Sequence, residues 1–149
     1  MPVVMFYHLT RSGVAQTAAT LLERALGAGW RVMVRGTDLA RLEVLDTQLW
    51  LPEDSFLPHA LAGGPMDSAQ PVLLGLGPVG NDARALMVVD GAAVEVAEAS
   101  GLERVWILFD GNDEGALVQA RGQWKHLSGA GLSAQYWAED SGRWQKKSG

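Results

Sequence analysis

The chain has 149 residues, of which 48% are hydrophobic and 19% charged, with a net charge of −5; that is one domain's length with apolar residues enough for one core, and it excludes a disordered chain. There is no cysteine, which excludes a disulfide framework, a cysteine zinc site and a thiol nucleophile and fits a reducing cytoplasm. No apolar run approaches the ~18–20 residues of a membrane span, and the acidic balance argues against a nucleic-acid coat, whose affinity rests on Lys and Arg meeting phosphates.

Val3, Val4, Met5, Phe6 and Tyr7 form a short, partly β-branched apolar run, the pattern of a strand buried on both faces. Ser12 is read as the N-cap of a helix over about 13–27, because Val14, Ala18, Leu21, Leu22, Ala25 and Leu26 recur at steps of three and four and Gly27 and Gly29 supply the stop. Trp30 to Arg35 reads as a second strand, and Asp38 as the cap of a second helix that runs to about Trp50, before Pro52. This order of short β and α units predicts a parallel α/β sheet with right-handed crossovers. Leu51 to Gln70 is rich in Pro and Gly and reads as an irregular surface loop. Val72–Leu74, Leu86–Val89 and Val105–Phe109 read as three further strands, with a helix over Ala92 to Ala99 between the last two. A final helix over about 113–128 precedes a last strand or extended segment from Ser133 to Trp137. One α/β domain over 1–138 and a polar, frayed tail over 139–149 are the expected organisation.

Few segments suggest chemistry. Gly75-Leu76-Gly77-Pro78-Val79-Gly80 has the G-x-G-x-x-G spacing of a phosphate loop, but Pro78 removes a donor and only Asn81 to Ala85 separate the motif from the next strand. A dinucleotide site needs the first strand before the motif and a helix N-terminus after it, so a Gly-rich hairpin or inter-strand loop is the better reading. Asp110, Asp113 and Glu114 stand at the C-terminal end of a strand, where α/β enzymes place catalytic groups, yet helix capping explains Asp113 and Glu114 more simply. A nucleotide-binding or hydrolytic α/β enzyme that uses the Gly75–Gly80 loop or Asp110 and Asp113 is therefore the alternative. His8, His59 and His126 are scattered without metal-ligand spacing, and no catalytic residue, cofactor or metal site is expected. In the last helix Arg121, Trp124, Lys125 and Ser128 fall at i, i+3, i+4 and i+7 and so share a face. Such a face suits an acidic peptide that ends in an apolar side chain, or Trp124 is a core anchor beside solvated cations. Trp50 and Phe56 flank the start of the Pro/Gly-rich segment, either as cover for the sheet edge or as an aromatic partner site.

Phe6-Tyr7, Arg41-Leu42 leading to Leu49-Trp50, Ser55-Phe56-Leu57-Pro58-His59-Ala60-Leu61-Ala62-Gly63, Pro71-Val72 and Ala120-Arg121-x-x-Trp124-Lys125 together resemble the chi subunit of bacterial DNA polymerase III, in order and over nearly the whole chain. The resemblance implies a Rossmann-like, three-layer α/β/α single domain with a mostly parallel open sheet. It also implies a non-catalytic, cytoplasmic accessory subunit that binds the acidic C-terminal tail of single-stranded DNA-binding protein (SSB) and links it to the clamp loader, with only indirect contact to DNA. Carried over by position, the tail site is Arg121, Trp124 and Lys125, with Trp124 where the family often has tyrosine. The surface for the psi subunit, or for a helicase competing with it, falls on Trp50 and Phe56. The family's Pro-rich turn after the next-to-last strand is replaced by Asp110-Gly111-Asn112-Asp113.

Overall fold

The structure, a computed structural model, describes residues 2–50, 57–140 and 143–148. Its strands are β1 (Val3–Leu9), β2 (Val32–Arg35), β3 (Ala60–Leu61), β4 (Val72–Gly75), β5 (Ala85–Val88), β6 (Arg104–Asp110), β7 (Ser133–Asp140) and β8 (Arg143–Ser148). The helices are α1 (Val14–Gly27), α2 (Leu39–Trp50), α3 (Val96–Ser100) and α4 (Glu114–Gly129). All strands lie in one sheet of order β3-β4-β2-β5-β6-β1-β7-β8, parallel throughout except for the antiparallel β7–β8 pair.

Side chains that alternate along the strands feed two cores. Tyr7, Leu9, Val32, Val34, Trp106 and Leu108 pack on one face under α1 and α2. Val4, Phe6, Met33, Val105, Ile107 and Phe109 pack on the other under α3 and α4. A sheet covered on both faces needs apolar residues at successive positions, which is why β2, β4 and β5 are buried along their whole length. The result is the expected three-layer α/β arrangement.

Several boundaries differ from those read in the sequence. Ser12 does not cap α1: the N-cap is Gly13, without a side-chain bond. The Ser12 hydroxyl instead donates to Glu139 Oε2 at 2.8 Å, and the N–H groups of Thr10, Arg11 and Ser12 donate to Glu139 Oε1 at 3.0, 3.1 and 3.0 Å. Asp38 does cap α2, since its Oδ1 accepts from Ala40 N–H at 2.9 Å. The helix expected over Ala92 to Ala99 is only the short α3.

Within the Pro/Gly-rich segment, β3 pairs with β4, and the Asp67 carboxylate accepts from the N–H groups of Gly63 and Gly64 at 2.9 and 3.0 Å. The Gly75–Gly80 segment is not a hairpin, because β4 and β5 are parallel and β2 lies between them. The polar segment from residue 139 is not frayed where it is described: β7 continues to Asp140, and β8 pairs with it. The boundary expected at 138 therefore falls inside a strand.

Candidate functional site

Asp113 is the N-cap of α4, its carboxylate accepting from the N–H groups of Gly115 and Ala116 at 2.9 and 3.2 Å, the capping role expected of it. Asp110 is likewise engaged locally, with Oδ1 accepting from Asn112 N–H at 2.9 Å. Glu114 sits in the first turn of α4, where a negative charge favours the helix dipole. Gln119 and Gln123 donate to the carbonyls of Gly91 and Ala92 at 2.6 and 2.9 Å and fix the helix against the turn after β5.

The stripe Ala120, Trp124 and Leu127 faces the sheet. Trp124 is only half-buried; its ring stands edge-on to Phe6 at 5.3 Å and to Tyr136 at 5.9 Å. Phe6 and Tyr136 lie nearly parallel to each other, with centroids 6.5 Å apart. The Tyr136 hydroxyl is 2.7 Å from His8 Nδ1. Burial pushes the Tyr136 hydroxyl pKa up, and the charge of Arg121 pulls against it.

Arg121 and Lys125 are exposed, and among the described residues no carboxylate pairs with either. The structure thus brings together Arg121, Trp124 and Lys125 as the spacing required and adds Phe6, His8 and Tyr136, which the sequence did not single out. Ser128 turns inward, its hydroxyl donating to the Trp124 carbonyl at 2.5 Å. The arrangement can hold an anion on two cations beside an apolar wall.

Trp50 stands at the end of α2, 49% exposed, with its ring 4.1 Å from that of His59. His59 is buried, and its two ring nitrogens lie 2.6 Å from the Leu57 carbonyl and 3.1 Å from that of Asp46. The platform beneath Trp50 is therefore fixed. Phe56, its expected companion, lies outside the described residues.

At the Gly75–Gly80 segment the polarity is opposite to that of a phosphate cradle. Gly77 presents its carbonyl, which accepts from Arg35 Nε at 3.0 Å, and the chain passes into β5 with no helix after the motif. Arg35 also donates to the Ala93 carbonyl at 3.0 Å and forks onto Glu98 at 2.7 and 2.6 Å. Those bonds, more than Arg35's charge alone, hold the Glu98 carboxyl below its usual range against the opposing effect of burial. The motif thus lacks the helix N-terminus that a dinucleotide site places after it. No described helix is long and apolar enough to cross a membrane.

Residues 1–135 match the family model described as DNA polymerase III chi subunit, HolC. No curated protein matches the chain.

Proposed function

The chain belongs to the chi subunit family of DNA polymerase III, a family of replication accessory subunits, and from that membership we propose that it binds the acidic C-terminal tail of SSB on α4 and links it to the clamp loader without catalysing a reaction itself. The observation that carries the reading is the pair of carboxylate-free cations, Arg121 and Lys125, beside a half-buried Trp124 that rests on Phe6 and Tyr136. A planar guanidinium suits a forked bond to a carboxylate, and Lys125 adds a charge that salt screens. The rings offer an apolar wall to the side chain at the end of the tail. The turn Asp110-Gly111-Asn112-Asp113 is spent on capping and on a bond from Asn112 Nδ2 to the Thr10 carbonyl at 3.0 Å.

Fluorescence anisotropy with a labelled SSB C-terminal peptide tests this. Binding is saturable, weakens as salt rises, and falls about tenfold in Arg121→Ala, the loss of one charge-assisted contact. Equal binding by the wild type and Arg121→Ala removes the assigned site. Trp50, exposed on the fixed His59 ring, supports the second part of the proposal, a surface for psi or a helicase shared with Phe56. Trp50→Ala loses such a partner in pull-down from clamp-loader components and keeps the SSB tail; retention of every partner makes Trp50 a structural residue only.

A further inference from the structure

A cavity of about 590 Å³ opens on the face of the sheet opposite to Trp124, between α1 and strands β1, β6, β7 and β8. Its volume is that of a small-molecule site. Rings of Tyr7, Trp30, Trp106, Trp137 and Trp144 wall it, with Trp144 edge-on to Tyr7 at 5.1 Å. The sheet order places β7 and β8 outside β1, so Trp137 and Trp144 close the outer side.

Two cations point to what the cavity holds. Arg104, at the start of β6, and Arg24, in the last turn of α1, both line it, and among the described residues no acidic one does. The Arg104 guanidinium lies over the Trp30 ring, 5.7 Å from its centroid. Its Nη1 meets the Met5 sulfur at 3.5 Å, a weak acceptor, and its Nε is buried with no hydrogen-bond partner. Among the described residues no carboxylate pairs with Arg24 or Arg104. Burial pushes the Tyr7 hydroxyl pKa up, and the charges of Arg104 and then Arg24 pull against it, so both guanidinium groups and the Tyr7 oxygen share one region of the wall. A buried donor without an acceptor is costly in a folded protein, and an anion would supply that acceptor on Arg104 together with a counter-charge within reach of the exposed Arg24.

We propose that this cavity binds a small aromatic anion, a flat ring carrying one carboxylate or phosphate and no larger than a mononucleotide, with the ring against the tryptophans and the anion on Arg104 and Arg24. Flat π-surfaces are what aromatic walls recognise at low entropic cost. A neutral ligand leaves the guanidinium groups without a counter-charge, and a long polyanionic strand meets a chain whose net charge is −5.

Isothermal titration of the full chain tests the proposal with deoxythymidine monophosphate and indole-3-acetate as the phosphate and carboxylate probes, thymidine as the uncharged control and oligothymidylate as the polymer. At least one anionic probe saturates the protein, thymidine binds about tenfold more weakly than its monophosphate if phosphate is the preferred anion, and Arg104→Gln weakens the preferred probe about tenfold. Arg121→Ala leaves that affinity unchanged, which separates the cavity from the proposed tail site. Arg24→Gln, at an exposed side chain, weakens the same probe and keeps the test decisive if Arg104→Gln does not fold. The absence of saturable heat with either probe at millimolar concentration overturns the proposal. So does equal binding by both arginine variants and the wild type, or tighter binding of oligothymidylate than of the mononucleotide.

Discussion

Replacing Glu139 with glutamine should loosen the end of β7 from the turn that leads into α1. One carboxylate accepts from Thr10, Arg11 and Ser12 N–H at 3.0, 3.1 and 3.0 Å and from the Ser12 hydroxyl at 2.8 Å. Glutamine keeps one acceptor oxygen, removes the charge, and turns an amide donor toward the donors of Ser12. Charge-assisted bonds are roughly twice as strong as neutral ones, but the site is open to solvent on one side, so the expected loss is about 1–2 kcal/mol. For a chain of this size that lowers Tm by about 2–8 °C.

Burial alone would raise the Glu139 pKa, and the hydrogen bonds from Arg11, Ser12 and Thr10 outweigh it and hold the carboxyl below its usual range. A depressed folded-state pKa contributes stability that is fully present above the unfolded value and is lost as pH falls through the folded one. The difference between the wild type and Glu139→Gln is therefore constant near neutrality and closes in acid, below the ordinary glutamate pKa. Thermal unfolding followed by circular dichroism from pH 7 down through that range measures it. Equal Tm values at pH 7, or a gap that persists unchanged in acid, would refute the reasoning.

Asp113→Ala removes both N-cap bonds of α4 and should cost about 1 kcal/mol in urea unfolding, with the m-value unchanged. Glu98→Gln leaves the Arg35 charge buried beside a neutral partner; with Glu98 partly exposed, about 2 kcal/mol is expected, and the same denaturation curves measure it. At Gly111 an added Cβ would run into the His8 ring, so Gly111→Ala should displace His8 from Tyr136, seen as a shift of the His8 ring resonances in NMR. An unchanged His8 spectrum would mean that the backbone of the turn yields instead of the ring.

The sequence revealed what local patterning controls. The apolar run of β1, the threefold and fourfold spacing of α1 and the Asp38 cap each depend on neighbours within a turn, and each stands in the structure. What it concealed depends on distant partners. Ser12 looks like a cap because its type favours one, but its hydroxyl is claimed by a carboxylate 127 residues away. The Gly75–Gly80 segment reads as a hairpin or an inter-strand loop, and only the distant placement of β2 between β4 and β5 decides for the loop.

β8 was hidden because edge strands carry charge that blunts pairing: Lys146 and Lys147 lie in it, and Trp144 was the one signal of a buried face. In the proposed tail site the spacing of Arg121, Trp124 and Lys125 was plain, since one helix carries them all. Phe6, His8 and Tyr136, which support the tryptophan, come from β1 and β7, neighbours only through a parallel crossover.

NMR of the isotope-labelled chain titrated with the SSB C-terminal peptide tests the central claim most directly. Shifts concentrated at Arg121, Trp124, Lys125 and Tyr136, including the Trp124 indole N–H, with Trp30, Arg104 and Trp144 unmoved, are the predicted result. Shifts centred on the α1 side of the sheet, or none at saturating peptide, would contradict it.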